Sequence, residues 1–471
     1  MQELRMLAVA ALLLLAGCSS AQTQKAAESP ISTLPALRAE LQRLVAAAAV
    51  SANVSQSFAV GGADPRNGGA PFEIAVAAGQ NDRRRRGSVV SNRSRYPLGS
   101  VTKTWATVAA FRLQEAGALD LHAPIAPLVD PWLRRQGLPS LTALFAPLQR
   151  NGDIADVTTM QLLGMGSGIQ DYNDANLQNF SYVHPTVSTL LVVLLALLAL
   201  LVLLVVLLVL ILLRLQVDVE PLDFITGNLT GLPLNFTFYF PPGSTTTTAG
   251  KLQLNRTQSA CAYSSNGFVV VGLVLAAATN ASDWQSFDQL TAAVGAERAG
   301  SFEHLGTCSA AAAAAHGLAA ADATAAVDFA KNGPCSAYPD VVHQYALKPV
   351  CTDGIYDGKP CGAELELAKK PKRPALNESD FYDLYDESCL NGWTMGNIAS
   401  APLELVRFYQ LLASGQLISQ QHVAAMQDWK YFTTAWCVAR LLARLLAHPS
   451  LTSRPPTAAG RSVAVATAWA C

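Results

Sequence analysis

Residues 190–213 form an uninterrupted run of Leu, Val, Ala and Ile near the middle of the 471-residue chain. At about 1.5 Å per residue, a helix of this length could cross the hydrocarbon core of a bilayer. A single crossing would leave residues before 185 and after 217 on opposite faces of a membrane, where they could not build one site together. The run is therefore a membrane anchor in an unusual position, a low-complexity insertion or translated non-coding sequence.

The N-terminus has the order of a secretory signal. Arg5 precedes an apolar run over residues 6–16, and small residues follow at 17–21. We predict a signal peptide over residues 1–22 and a destination in the secretory pathway, either extracellular or membrane-anchored. The segment before and including Cys18 also fits a bacterial lipoprotein box, and the sequence does not separate lipidation from simple cleavage.

Glycosylation acceptors are in excess over the roughly two or three that chance would supply. The acceptors of the form Asn-x-Ser/Thr are Asn53, Asn92, Asn179, Asn228, Asn235, Asn255, Asn280 and Asn377. Of the nine cysteines in the chain, eight follow Cys18, and no two of them form a C-x-x-C pair. In an exported chain this pattern favours disulfide bonds over a zinc site, so we predict a disulfide-bonded glycoprotein.

The charge balance excludes one class of partner. The chain has 33 Lys and Arg residues against 34 Asp and Glu residues, so no net field would attract nucleic acid. The histidines are scattered, without the spacing that metal ligands require. We predict no nucleic-acid partner, no metal and no cofactor.

The most informative short motif is Ser100-Val101-Thr102-Lys103, an S-x-x-K element. Chance alone supplies this pattern about once or twice in a chain of this length. The context is more specific: residues 96–99 resemble a strand end with a glycine entry. The apolar positions that follow, up to Gly117, have helical spacing, which predicts a helix beginning at Ser100.

A helix at this point would bring the two side chains together, because positions i and i+3 share one face. An uncharged lysine amine could then take the proton from the Ser100 hydroxyl and make it a nucleophile. Backbone N–H groups at the helix start could bind the oxygen of a reacting carbonyl. The alternative is that Ser100 is an ordinary N-cap and Lys103 a surface lysine.

Four segments in the same order resemble the serine β-lactamase family, which includes class C β-lactamases, D-alanyl-D-alanine carboxypeptidases and related esterases. Residues 96–104 resemble its nucleophile segment. Residues 156–169 resemble the segment that follows, with Gly164 and Gly166 where Thr or His is usual. Residues 263–273 resemble its Tyr-x-Asn segment and helix, and residues 392–400 its Gly-Asn-x-x-Ser segment.

The resemblance implies an α/β (α+β) fold in which an antiparallel sheet is covered by helices and a mainly helical region carries Tyr263. The domain would be built from residues 34–185 and 217–430, on either side of a hydrophobic insert at 188–215.

By the same resemblance, Ser100 is the acylated nucleophile, Lys103 its base partner and Tyr263 the proton shuttle. Ser265 replaces the Asn of the Tyr-x-Asn element, and Asn266 is the alternative. Tyr263 could instead be a half-buried core residue.

One family element is missing. The family closes its site with a Lys-Thr-Gly or His-x-Gly box on a strand after the Gly-Asn-x-x-Ser segment, and this chain has no such box in that place. His316 comes too early, and His448 lacks the glycine. Residues 431–471 form an atypical tail with little strand pattern.

Two functions remain at this point. The first is an exported serine hydrolase that forms an acyl-enzyme at Ser100 on a small-molecule or peptide substrate with an amide or ester bond. The second is a catalytically inactive relative, attached to a membrane through residues 190–213, that binds or scaffolds. The sequence leaves the choice among β-lactam, D-amino-acid peptide and ester open, and also the oligomeric state.

Overall fold

The computed structural model describes residues 33–145 (without 53–54, 65–66, 68–69 and 83–86), 153–171, 260–302, 341–347 (without 344) and 393–427. It also describes short strands at 253–254, 305–306, 351–352, 355–356, 359–360, 381–383 and 464–469. The predicted signal peptide and the apolar run at 190–213 lie outside these residues. So do the cysteines, apart from the backbone of Cys261 and Cys351, and the glycosylation acceptors other than Asn92 and Asn280. No helix within the described ranges is both long enough and apolar enough to span a membrane.

The described elements mix helices and short strands. The helices are α1 (Leu34–Ala52), α2 (Thr102–Glu115), α3 (Ala126–Arg135), α4 (Leu141–Phe145), α5 (Thr159–Leu163), α6 (Ser265–Ala278), α7 (Gln289–Val294), α8 (Ala296–Ala299), α9 (Trp393–Gly396), α10 (Pro402–Ala413) and α11 (Gln420–Gln427). The strands are β1 (Gln56–Asp64), β2 (Ala70–Ala78), β3 (Tyr96–Pro97), β4 (Gln253–Leu254), β5 (Ala260–Cys261), β6 (Leu305–Gly306), β7 (Tyr345–Leu347), β8 (Cys351–Thr352), β9 (Ile355–Tyr356), β10 (Lys359–Pro360), β11 (Phe381–Asp383), β12 (Ala399–Ser400) and β13 (Ala464–Trp469). Two 3-10 turns lie at Gly99–Val101 and Ile154–Asp156.

The main sheet is antiparallel, in the order β13-β1-β2, with Phe58 paired to Val76 and Val60 to Ile74. Side chains alternate between its faces, and these large apolar residues pack on α1. The opposite face of β1 carries small residues. At Gly61 an added Cβ would lie 2.7 Å from Cγ1 of Val406, so the missing side chain lets α10 approach closely. The sheet is thus covered by a helix on each face.

A larger core is built around α6, in which every residue from Ser265 to Ala277 is buried. Its sequence is apolar on all sides, as expected for a helix enclosed by others. α2, α3, α5 and α9 pack against it. Near this core the ring of Trp105 in α2 stacks on Phe408 of α10, with centroids 3.7 Å apart.

A small sheet in the order β3-β12-β6 joins the two segments that flank the predicted site. The backbone N–H of Leu98 donates to the carbonyl of Ile398 (2.8 Å). The N–H of Ile398 in turn donates to Oγ1 of Thr102 (3.2 Å). These bonds fix the start of α2 beside residues 393–400.

The predicted architecture of an antiparallel sheet covered by helices is confirmed, and Tyr263 enters the largely helical part. The helix predicted from Ser100 begins as a 3-10 turn and becomes α-helical at Thr102. Gly117 has φ +70°, a left-handed conformation just beyond the end of this helix.

The expectation of little strand pattern after residue 431 is wrong for residues 464–469. These residues form β13, which pairs with β1 over six residue pairs. The strand alternates Ala with Val465, Thr467 and Trp469, a weak period-two signal that the Ala and Thr content of the tail obscures.

Candidate active site

Ser100 is exposed, in the 3-10 turn that leads into α2. Gly99 before it has φ +52°, a left-handed conformation that disfavours any side chain. An added Cβ there would meet nothing within 4 Å, so the backbone conformation alone requires the glycine. As the second residue of the turn, Ser100 has an N–H without an acceptor inside the helix, which leaves it available to a ligand.

Lys103 lies in the first turn of α2, and only 6% of it is exposed. Its Nζ donates to Oγ of Ser100 (3.1 Å) and to the carbonyl oxygen of Met395 (2.9 Å). The rings of Tyr263 and Phe268 lie 5.0 and 5.7 Å from the amine, measured to their centroids. Among the described residues, no carboxylate forms an ion pair with it. The amine therefore faces a hydroxyl, a carbonyl and two aromatic rings.

Tyr263 lies in the three-residue connection between β5 and α6 and is partly exposed. Its hydroxyl is 2.5 Å from Oγ of Ser100. Ser100 Oγ thus has both the amine of Lys103 and the phenol of Tyr263 within hydrogen-bond distance. The two side chains come from elements far apart in sequence, so the tertiary fold creates the cluster.

α9 supplies the carbonyl that holds Lys103. Its position depends on Gly272 of α6, where an added Cβ would lie 2.4 Å from Oγ1 of Thr394 and 2.5 Å from Cζ3 of Trp393. Thr394 Oγ1 also donates to the carbonyl of Phe268 (2.7 Å). Close packing and this hydrogen bond dock α9 onto α6 and bring Met395 to the site.

The sequence matches the family model described as β-lactamase over residues 33–436. The chain belongs to the β-lactamase family. The predicted family of serine hydrolases is thereby confirmed.

Several solved structures are similar in fold to this β-lactamase-family chain. A D-stereospecific amidohydrolase from Streptomyces sp. is 16% identical, with 82% of this chain and 75% of that chain covered and a TM-score of 0.47. A penicillin binding protein from Bacillus halodurans is 15% identical (80% and 74% covered, TM-score 0.40). A D-amino acid amidase from Ochrobactrum anthropi SV3 is 13% identical (81% and 73% covered, TM-score 0.44). No curated protein matches the chain. The family assignment rests on the sequence match.

Ser265 and Asn266, the predicted replacements for the family's Asn, are both buried at the start of α6. The backbone N–H of Ser265 donates to Oδ1 of Asp171 (2.8 Å), and the amide of Asn266 donates to the carbonyl of Gln170 (3.1 Å). No hydrogen bond joins either side chain to Ser100, Lys103 or Tyr263 within the described part of the chain. The structure therefore brings three of the four predicted site residues together.

The residues around this cluster include two that sequence reasoning missed, Met395 and Met165. Met395 acts through its carbonyl oxygen, and a backbone group has no signature in a sequence. Met165 accepts hydrogen bonds from the backbone N–H groups of Ala262 and Ser264, the two neighbours of Tyr263. The only available signal was that each of them lies beside a glycine of a family segment.

β13 follows the Gly-Asn-x-x-Ser segment and pairs with β1, and its residues Ala464–Trp469 include no Lys, His or Gly. The described residues also contain no cluster of three or more potential metal ligands. Within those residues, the chemistry available at the site is that of a hydroxyl, an amine and a phenol.

A groove of about 520 Å³ lies elsewhere, between α1 and β2. Its lining includes Leu34, Arg38, Gln42 and Glu73, and none of the three clustered residues. Because it offers no nucleophile paired with a base, we place the candidate site at Ser100.

Proposed function

We propose that this chain is a serine hydrolase that forms an acyl-enzyme at Ser100 on an amide or ester bond of a small molecule or peptide. The observation that carries the proposal is the pair of contacts to Ser100 Oγ, from Lys103 Nζ at 3.1 Å and from Tyr263 OH at 2.5 Å. A hydroxyl needs a neighbour that removes its proton, and both neighbours are within reach.

In the acylation step, Ser100 Oγ attacks the substrate carbonyl carbon, and its proton passes to Nζ of Lys103, which this step requires in the unprotonated form. The amine keeps its hydrogen bond to Met395 during this transfer. The electron pair of the carbonyl moves onto its oxygen, which the N–H of Ser100 can stabilise. A tetrahedral intermediate results.

Collapse of the intermediate breaks the bond to the leaving nitrogen or oxygen. The hydroxyl of Tyr263 gives its proton to that leaving group and regains one from the ammonium of Lys103. The acyl group is now an ester of Ser100, and the amine is uncharged again. A water molecule then attacks the ester, its proton passes through the same two groups to Ser100 Oγ, and the acid product leaves.

A second function, binding or scaffolding without catalysis, is favoured by the missing final box. Loss of one oxyanion donor can lower the rate by about two to three decades. The strand β13, which follows the Gly-Asn-x-x-Ser segment, contains no Lys or His. On this alternative, the cluster at Ser100 would be retained without turnover.

Covalent labelling by a fluorophosphonate or a fluorescent penicillin distinguishes the two functions. We expect the wild type to be labelled, Ser100→Ala to be unlabelled, and the matched control Ser414→Ala, an exposed serine at the end of α10, to be labelled like the wild type. No labelling of the wild type, under conditions that label another family member, would support the binding function. Labelling that persists in Ser100→Ala would overturn the assignment of the nucleophile.

We also propose that the chain is exported and glycosylated. The two acceptors within the described ranges, Asn92 and Asn280, are exposed, as attachment of a glycan requires. Treatment of the secreted chain with an N-glycosidase should lower its apparent mass. An unchanged mass, or retention of the chain in the cytosol, would contradict the proposal.

A further inference from the structure

Met165 stands where a glycine would be expected. Helix α5 ends in a Schellman motif, with the N–H of Gly166 donating to the carbonyl of Gln161 (2.7 Å) and the N–H of Met165 to that of Leu162 (3.1 Å). Met165 has φ +56°, in the left-handed region that is unfavourable for a side chain. The backbone alone would favour glycine here, and the side chain that is present instead forms the contact described next.

Two hydrogen bonds join Met165 to the connection that carries Tyr263. The backbone N–H of Ala262 donates to the carbonyl oxygen of Met165 (3.0 Å), and the N–H of Ser264 donates to its Sδ (3.4 Å). Ala262 and Ser264 are the two neighbours of Tyr263 in the chain. Met165 therefore holds the backbone on both sides of the phenol.

A further hydrogen bond fixes the C-terminal end of this connection, at Ser264. The Ser264 hydroxyl accepts from the N–H of Gly267 (2.9 Å) and so caps α6. This cap orients the start of the helix after Tyr263. The hydrogen bonds to Met165 instead join the connection to the segment that follows α5. Residues 170 and 171 also hold the start of α6, through Ser265 and Asn266, whereas Met165 bonds both residues that flank the phenol.

We propose that Met165 is a positioning residue for Tyr263, acting through its carbonyl oxygen and its thioether sulfur. The inference rests on the proposed function, because the phenol matters only if it moves protons for Ser100. Proton transfer requires the phenol to stay within hydrogen-bond distance of Ser100 Oγ. Met165 maintains that distance without touching the substrate.

The test compares matched substitutions in the purified full-length chain, with the second-order rate constant of labelling by a fluorescent penicillin as the readout, because its leaving nitrogen needs the proton from Tyr263. Met165→Leu keeps the side-chain volume and removes the sulfur acceptor, and we expect labelling about three- to tenfold slower. Met160→Leu makes the same change in α5, away from the Tyr263 connection, and should label like the wild type.

A substitution that restores the hydrogen-bond acceptor tests whether labelling slows because the acceptor is lost or because the packing of the side chain changes. Met165→Asn tolerates the left-handed backbone and places Oδ1 the same number of bonds from Cα as Sδ, so it should restore most of the rate. Met165→Gly also fits the backbone but has no acceptor, and it should be as slow as Met165→Leu. If Met165→Leu fails to fold, Met165→Gly takes its place in the comparison with the wild type.

A double-mutant cycle identifies Tyr263 as the group that is positioned. In a Tyr263→Phe background, Met165→Leu should cause no further loss. The same loss in both backgrounds, or wild-type rates in Met165→Leu, would overturn the inference while leaving Ser100 as the nucleophile. If the wild type itself is not labelled, the proposed function fails and the positioning role fails with it.

Discussion

The amine of Lys103 lies 2.9 Å from the carbonyl oxygen of Met395, 292 positions later in the chain. That carbonyl belongs to α9, which packs on α6 where Gly272 has no side chain. The same amine lies 3.1 Å from Ser100 Oγ. The contact between α9 and α6, neither of which contains Lys103, therefore orients the base partner of the nucleophile.

Removal of this amine should abolish most of the reactivity of Ser100. Lys103→Met keeps the length and apolar stem of the side chain but leaves no group to take the hydroxyl proton. We expect labelling by a fluorophosphonate to slow by about 10²- to 10⁴-fold, the usual contribution of a positioned general base. Circular dichroism should show a retained fold. A variant that is folded and labels at the wild-type rate would contradict the role of Lys103.

The phenol of Tyr263 should matter for catalysis more than for stability. Tyr263→Phe removes only the hydroxyl that lies 2.5 Å from Ser100 Oγ. Because the side chain is partly exposed, the free energy of unfolding should change by less than about 0.5 kcal/mol. Turnover of an ester substrate should fall by about 10²- to 10⁴-fold. A large loss of stability with unchanged turnover would instead identify Tyr263 as a core residue.

The packing of α9 on α6 can be tested at Gly272. An added Cβ would lie within 2.5 Å of Thr394 and Trp393, so Gly272→Ala should lower the free energy of unfolding by about 1 to 3 kcal/mol. It should also slow labelling, because α9 carries Met395. Gly300→Ala is the control, since nothing lies within 4 Å of its added Cβ and its φ is −64°. If both variants lower the free energy of unfolding in urea by the same amount, close packing at Gly272 is not the cause of the loss.

The local part of the site could be predicted from the sequence. Ser100 and Lys103 are three residues apart at the start of a helix, and helical geometry alone brings such side chains together. The approach of Tyr263 could not be derived in this way, because no local rule relates residues 163 positions apart. It was expected only from the resemblance of its segment to a known family.

Three other features of the structure could not be predicted from the sequence: the roles of two methionines, the strand β13 and the 3-10 turn at Ser100. Met395 and Met165 hold other residues through backbone oxygens, which every residue has. β13 pairs with β1 across most of the length of the chain, and the small side chains of residues 464–469 make its alternation weak. Ser100 lies in a 3-10 turn and not in the α-helix itself, and Gly99 before it has a positive φ. Tertiary contacts, not propensity, decided the roles of the two methionines and the pairing of β13.

A pH-dependent contribution to stability is expected from Glu115 at the end of α2. Burial alone would raise the pKa of this carboxyl, but hydrogen bonds from the N–H of Ser419 (2.7 Å) and from His422 (2.6 Å) outweigh it and hold the pKa below its ordinary value. Since the folded state then binds fewer protons, the stabilisation is present above about pH 4.3, the ordinary value for glutamate, and is lost as the pH falls through the lower folded value.

Glu115→Gln should therefore lower the free energy of unfolding at pH 7 by about 0.5 to 1.5 kcal/mol, a modest figure because the carboxylate is partly solvated. The difference from the wild type should shrink as urea unfolding is repeated below about pH 4.3. Asp156→Asn, which removes an exposed carboxylate outside this contact, is the control and should leave the free energy of unfolding at pH 7 close to the wild-type value. A Glu115→Gln variant whose deficit stays constant down to acid pH would show that the carboxylate charge is not what joins α2 to the start of α11.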